Sequence, residues 1–426
     1  MEIINRKIQP GISLIDEITF TKPEIYTLQN NIPVYLINAG HQNLVKIEFG
    51  FKGGRWFEEK PLVASFTNKM LREGTTNYSS SDLAEKIDFY GAHADTSTDK
   101  DMAYTTLYTL NKYLQETIPL LADMIKNPLF PEKELEVLRR NRKQHFRVNS
   151  EKVRYVAKRK FTEQIFGEKH PYGKLFADED FDNIQANDLI DFHKKNYSAS
   201  NAQIFVSGKI PDQLPELLDK WFGDMNQFNS QNNHEVSLNG HPLNPKVKVT
   251  KKNALQSAIR IGKVLFNKKH PDYFNLKILN TVLGGYFGSR LMTNIREDKG
   301  YTYGIGSAIV SLQNAGYFFI ASEVGTDVTE NAINEVYHEI RLLQQDKIPV
   351  KELDLVKNYI LGSFLRSMDG PFAISENVKG LIEFGLDYDF YSRFIDQVKN
   401  ITPEILRDTA QQYLGMDSMC ELTVGN

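Results

Sequence analysis

The sequence predicts an α+β chain made of two duplicated halves. Three observations lead there: landmarks that recur in the same order at a nearly constant offset, strand-like alternation early in the chain, and long helical stretches broken at prolines. Lys-Glu-Leu-Glu at Lys133 to Glu136 returns as Lys-Glu-Leu-Asp at Lys351 to Asp354, each just after a proline, an offset of 218. Ile184, Leu189 and Val206-x-Gly208 return as Ile401, Leu406 and Thr423-x-Gly425 at an offset of 217. Pro61 and Pro271 open equivalent helices at 210, which puts an insertion in the second half between these landmarks.

Taken in order, the first half opens on a strand with Val45, Ile47, Phe49 and Phe51 on one side and Lys46, Glu48 and Gly50 on the other. A helix follows from Pro61, then a strand around Ala103 to Thr109, matched later by Tyr317 to Ala321. Leu114 to Lys126 and Glu132 to Phe161 read as long helices separated by Asn-Pro-Leu-Phe-Pro. A helix from Asn187 to Lys195 and a strand from Gln203 to Val206 close the half. Strands able to pair with near neighbours, with helices on one face, give two α/β sandwich domains with antiparallel-rich sheets. They are expected to enclose a cavity. Residues 226–245 are rich in Asn, Gln, Ser, His and Pro and have no apolar period. They read as a linker between an N-terminal domain, 1–225, and a C-terminal domain, 246–426.

With 426 residues, 41% hydrophobic and 25% charged, the chain has material for two to four globular domains. A formal net charge of −3 gives no electrostatic reason to expect nucleic acid or an anionic membrane. The single Cys, Cys420, rules out an intrachain disulfide or a multi-Cys zinc site and is expected to be buried and inert. The N-terminus has no apolar core of signal-peptide length, and no apolar run of about 18 residues occurs. The expected location is cytoplasmic; a processed secreted form would read the same way.

Two stretches carry the functional argument. Ala64 to Thr75 reads Ala-Ser-Phe-Thr-Asn-Lys-Met-Leu-Arg-Glu-Gly-Thr, with Ser65, Asn68 and Lys69 at i, i+3 and i+4 on one helix face. Gly284 to Tyr303 reads Gly-Gly-Tyr-Phe-Gly-Ser-Arg-Leu-Met-Thr-Asn-Ile-Arg-Glu-Asp-Lys-Gly-Tyr-Thr-Tyr. Its glycines match neither a P-loop nor a strand-coupled G-x-G-x-x-G. Close backbone approach to a peptide or a neighbouring loop explains them better.

Together with the duplicated plan and the Asn-Pro-Leu-Phe-Pro segment, these stretches resemble the pitrilysin, insulinase and mitochondrial-processing-peptidase family of zinc metallopeptidases over essentially the whole chain. Active members of that family carry H-x-x-E-H where this chain has Ser65, Asn68 and Lys69. Zinc takes imidazole, thiolate or carboxylate donors, and a Lys ammonium has no free lone pair. The family's third ligand is a Glu from a later helix. The corresponding stretch here is Lys143-Gln144-His145-Phe146, with no carboxylate and a lone imidazole at His145. Glu58, Glu59, Glu73 and Glu85 lack the spacing to replace Asn68 as general base, and His93 and His193 form no H-x-x-x-H pairing.

The second stretch is similar to the family's small-residue loop followed by R-E-x-x-G-x-x-Y. By that resemblance Gly284, Gly285 and Ser289 belong to a substrate-binding loop, and Arg296 and Tyr303 hydrogen-bond the substrate around the scissile carbonyl. The chain therefore reads as the non-zinc subunit of a heterodimeric metallopeptidase. It holds no cofactor of its own. Its partner is expected to be a homologous subunit carrying H-x-x-E-H and zinc, and its substrate a peptide or unfolded polypeptide. A structural scaffold homologue and a self-sufficient peptidase with a relocated metal site stay open. Taken alone, the trio on the first helix would be polar residues on a solvated face, and Arg296 and Tyr303 a surface Arg and a core Tyr.

Overall fold

The structure, a computed structural model, describes residues 20–228 and 245–426. Most of the expected linker at 226–245 lies outside the described residues. The first half runs β1 (Glu24–Thr27), β2 (Pro33–Asn38), β3 (Leu44–Phe51), α1 (Val63–Met70), α2 (Ser80–Phe89), β4 (His93–Thr98), β5 (Ala103–Leu110), α3 (Leu114–Lys126), α4 (Glu132–Ser150), α5 (Val153–Phe166), α6 (Asp180–Asn183), α7 (Ala186–Asn196), β6 (Ala202–Gly208) and α8 (Leu214–Phe222). The second runs β7 (Lys246–Thr250), β8 (Gln256–Leu265), α9 (Tyr273–Asn280), β9 (Thr302–Leu312), β10 (Ala315–Gly325), α10 (Thr329–Gln345), α11 (Val350–Arg366), α12 (Pro371–Ile382), α13 (Phe390–Asn400), α14 (Pro403–Tyr413) and β11 (Cys420–Gly425).

The two sheets have the same wiring. Their strand orders are β1-β2-β6-β3-β5-β4 and β7-β11-β8-β10-β9, identical once the extra β1 is set aside. In each, the opening strand pairs parallel with the closing one, β2 with β6 and β7 with β11, and the remaining pairs are antiparallel. The sequence landmarks fall on equivalent places: α4 and α11 start directly after extended prolines, Pro131 and Pro349. Ile184, Leu189, Ile401 and Leu406 are all buried. Most of the insertion sits in the second-half hairpin. The offset rises from 209 at the strand starts, His93 and Thr302, to 215 at the strand ends, Leu110 and Gly325.

One face of each sheet carries the main core. Val45, Ile47, Phe49 and Phe51 pack with Phe66, Leu121 and Phe222 in the first half; Ile259, Ile261, Phe318 and Ile320 pack with Leu283, Val336 and Leu406 in the second. Apolar burial of this kind is the main favourable contribution to folding, roughly 25 cal/mol per Å².

The opposite faces correct the sequence reading, which put helices on one face only. Helix α5 leaves its own half and lays Ala157, Phe161 and Ile165 on the second sheet against Ala258, Leu422 and Val424. Helix α12 does the converse and packs on β6 and β2 of the first sheet. These two helices start at Val153 and Pro371, again 218 apart. A second correction concerns the helix expected from Glu132 to Phe161. It breaks at Glu151-Lys152, where Lys152 turns extended with ψ of 122°, and the break frees α5 to cross. No Gly or Pro marks it in the sequence.

At the seam the buried Lys46 and Glu48 pair with α12, whose Glu376 is half exposed. Lys46 Nζ lies 2.6 Å from Glu376 Oε1 and 3.1 Å from Glu48 Oε2, and Lys379 Nζ lies 3.0 Å from the same Glu48 oxygen. At the other end of the seam, Gln313 N donates to Asp101 Oδ2 at 2.9 Å, while Trp56 and Tyr172 pack on Leu312 and Ala315. Cys420 is buried, and burial pushes its thiol up to about 11, as an inert thiol requires. Among the described residues, no helix is long and apolar enough to cross a membrane.

Candidate functional site

Helix α1 brings Ser65, Asn68 and Lys69 onto one face, as their spacing predicts, but that face packs against strands and reaches solvent only in part, at Ser65 and Lys69. Asn68 is 1% exposed and its amide donates to Ser97 O, to Thr98 Oγ1 at 2.9 Å and to Tyr104 O at 3.2 Å. Lys69 Nζ donates to Thr96 O at 3.0 Å and lies 3.5 Å from Asp95 Oδ1. Ser65, half-buried, donates to Leu62 O at 3.1 Å. Asn68 and Lys69 therefore clamp α1 to β4 and β5, while Ser65 bonds back to the start of its own helix.

These groups do not fit zinc. The nitrogen atoms at 68 and 69 are hydrogen-bond donors already committed to the strands, and neither offers a lone pair. On α4, His145 is exposed, Lys143 is paired with Asp178 and Asp182, and Phe146 stacks among Phe176 and Phe181. Among the described residues no group of three His, Cys, Asp or Glu is placed to hold a metal.

The second stretch forms an accessible cleft. After α9 the chain makes a π-helical turn, Thr281–Gly285, passes through an exposed loop, and makes a second π-helical turn, Met292–Asp298. Gly300, at φ +67°, then turns it into β9. Arg296 sits on the second turn with its guanidinium 4.5 Å over the ring of Phe287. Tyr303, at the start of β9, is 94% exposed and its hydroxyl has no hydrogen-bond partner among the described residues. The core-Tyr alternative is thereby overturned.

Tyr303 and Phe287 line a cleft of about 790 Å³. Its floor is the inward face of the second sheet, with Gly304, Gly306, Ala308, Phe319, Ala321 and Arg260; Arg154 reaches in from α5. Gly284 and Gly285 line it too. A Cβ on Gly284 would meet Ser307 Oγ at 2.6 Å and Ser307 N at 2.7 Å, so this glycine lets the loop lie directly on β9. Ser289 is buried beneath the loop, donating its N–H to Tyr286 O at 3.2 Å. Helix α1 contributes no residue to this cleft, and Arg296 reaches it only through Phe287. Sequence reasoning missed Phe287, Arg154, Glu323 and Arg260. Of these, Arg260 left a signal: one charge inside the run Ser-Ala-Ile-Arg-Ile-Gly.

Residues 35–178 match the insulinase family, peptidase family M16, and residues 183–360 match the peptidase M16 inactive domain. The chain belongs to the M16 peptidase family. It is 24% identical to the uncharacterized zinc protease YmxG of Bacillus subtilis, over 92% of this chain and 96% of that one. It is 20% identical to the non-peptidase homolog YmxG of Helicobacter pylori, over 89% and 88%. It is 23% identical to the probable mitochondrial-processing peptidase subunit beta of Schizosaccharomyces pombe, over 84% and 81%. The crystal structure of a peptidase M16 inactive domain from Pseudomonas fluorescens superposes with a TM-score of 0.87 at 22% identity, covering 95% of this chain and 98% of that one. The non-peptidase homologue agrees with the donor set on α1, whereas the inactive-domain match falls on the second half of the chain. By its donor set on α1 this M16 chain is of the inactive type.

Proposed function

We propose that this M16 chain is the non-zinc subunit of a two-chain metallopeptidase, presenting Arg296 and Tyr303 to a peptide held against a homologous, zinc-carrying partner. The observation that carries the reading is Tyr303. A tyrosine held out on a strand at the rim of a large cleft, with no partner for its hydroxyl among the described residues, is poised to donate to something outside this chain. Arg296, laid over Phe287, stands behind that ring, and among the described residues no hydrogen bond or ion pair holds its guanidinium. In the reading, both hydrogen-bond the scissile carbonyl and its developing negative charge. Gly284 and Gly285 support it by letting backbone approach closely at the cleft wall.

Zinc and the base are assigned to the partner, expected to carry H-x-x-E-H, because α1 offers donors where ligands are needed. The family relationship to a processing-peptidase subunit supports a two-chain assembly. The substrate in this reading is an unfolded polypeptide, and the compartment is the cytoplasm.

The test is to mix the purified chain with the H-x-x-E-H homologue from the same cells and to follow complex formation and cleavage of an unfolded peptide. The expected result is activity in the mixture that neither chain shows alone. Full activity of the partner by itself, unchanged by this chain, would overturn the proposal.

A further inference from the structure

Strand β8 alternates so that Ile259 and Ile261 enter the second core while Ala258 and Arg260 face inward. Arg260 is only 7% exposed, yet among the described residues no carboxylate lies within ion-pair distance of it. Its cross-strand neighbours in register are Ala321 and Leu422, neither of which has a polar side chain to offer. The one protein hydrogen bond described for its guanidinium runs from Nη1 to Ile259 O at 2.8 Å. A guanidinium has five N–H donors, so most of the fork is left for whatever enters the cleft.

The nearest acidic group on the floor, Glu323, is 3.5 Å from Arg154 of α5. The inward face thus carries two guanidinium groups and one carboxylate, an excess of one positive charge. A charge buried without a partner is held at a cost that an incoming anion removes, and a planar fork matches a carboxylate by two parallel hydrogen bonds. One excess charge suits a monoanion. The small residues Gly304, Gly306 and Ala308 beside Tyr303 leave room for extended backbone next to it.

We propose that Arg260, assisted by Arg154, binds a carboxylate of a peptide lying in this cleft. The proposal rests on the reading that the cleft holds peptide but not on any action of Arg296 and Tyr303 at a scissile bond. An acidic side chain and a C-terminal carboxylate have the same chemistry, and the test separates them.

The full-length chain, alone, is titrated against four fluorescein-labelled, unstructured ten-residue peptides, followed by anisotropy. The peptides carry a central Glu or Gln and a free or amidated C-terminus. The peptide with neither carboxylate should bind at least about tenfold more weakly than the best of the others. Glu with an amidated end and Gln with a free end tell side chain from terminus. Arg260→Gln should abolish the difference and Arg154→Gln should shrink it. Glu323→Gln, which removes the competing carboxylate, should widen it. The last two changes sit on partly exposed side chains and keep the test valid should Arg260→Gln fail to fold. Equal binding of all four peptides overturns the carboxylate site while leaving the peptide cleft standing; failure of all four to bind overturns both.

Discussion

Tyr104 donates a 2.6 Å hydrogen bond to Glu383 across the seam between the two halves. Burial raises the Glu383 carboxyl from its ordinary value of 4.5 to about 7, with Asp99 and Glu48 adding to the rise and Tyr104 and Lys379 opposing it. In the unfolded chain it ionises near its ordinary value. Between about pH 4.5 and 7 the folded state therefore holds a proton that the unfolded state has lost, and stability falls as pH rises. The expected loss across that window is roughly 1–3 kcal/mol. Urea unfolding at pH 5 and pH 8 should show it in the native chain and not in Glu383→Gln. Identical pH profiles for the two would remove Glu383 from the account.

Asn68 holds three strand acceptors, and its replacement should be felt in stability rather than activity. Asn68→Ala should cost about 1–3 kcal/mol by leaving buried carbonyls unpaired. Asn68→Asp should cost more at pH 7 than at pH 4, because the ionised carboxylate faces Ser97 O and Tyr104 O without a proton to give. Denaturation midpoints at the two pH values decide it.

The dialysed chain should contain well below one zinc per molecule by atomic absorption. Installing Ser65→His, Asn68→Glu and Lys69→His together should still give no tight site, since α4 supplies Lys143, Gln144 and Phe146 around His145 where a carboxylate is needed. Stoichiometric zinc in the native chain would contradict the donor argument.

In the reconstituted complex, Tyr303→Phe and Arg296→Ala should each lower kcat by roughly 100- to 1000-fold, the usual effect of removing a donor aimed at developing charge. Neither side chain belongs to a core, so complex formation should be unaffected. A change in KM alone would mean that the pair holds substrate equally before and during reaction. Full activity of both variants would favour the scaffold role.

Phe161 is buried between α5 and the other half's sheet. Phe161→Ala should destabilise the whole chain by about 3–5 kcal/mol. Because Trp56 packs across the seam on Leu312 and Ala315, its fluorescence should change in the same transition as circular dichroism. Two separate transitions would show that the halves unfold independently.

The duplicated plan was legible because equivalent helices begin behind equivalent prolines and bury equivalent residues, such as Leu189 and Leu406. The crossing of α5 was not. Lys152 carries no conformational signature, and what extends it is the packing of Phe161 on a distant sheet. The spacing of Ser65, Asn68 and Lys69 gave a shared face correctly but could not tell water from β4 and β5 as its neighbour. The exposure of Tyr303 likewise depends on where β9 lies, at the edge of the sheet, which only the strand order shows. Arg260 stood out as a charge among apolar residues, yet its lack of a partner required the register that sets Ala321 and Leu422 beside it.

The reciprocal crossing of α5 and α12 bears on ancestry. A single-half ancestor would have left one sheet face bare and one helix without a surface, and two copies would have met both needs through one isologous exchange. Such a half belongs to an obligate homodimer. Fusion replaces encounter between separate molecules with a tethered one, at an effective concentration in the millimolar range for a short flexible connection. From then on the copies could diverge, but within limits, since the exchanged helix α5 lies on the sheet face that floors the Tyr303 cleft and gives it Arg154.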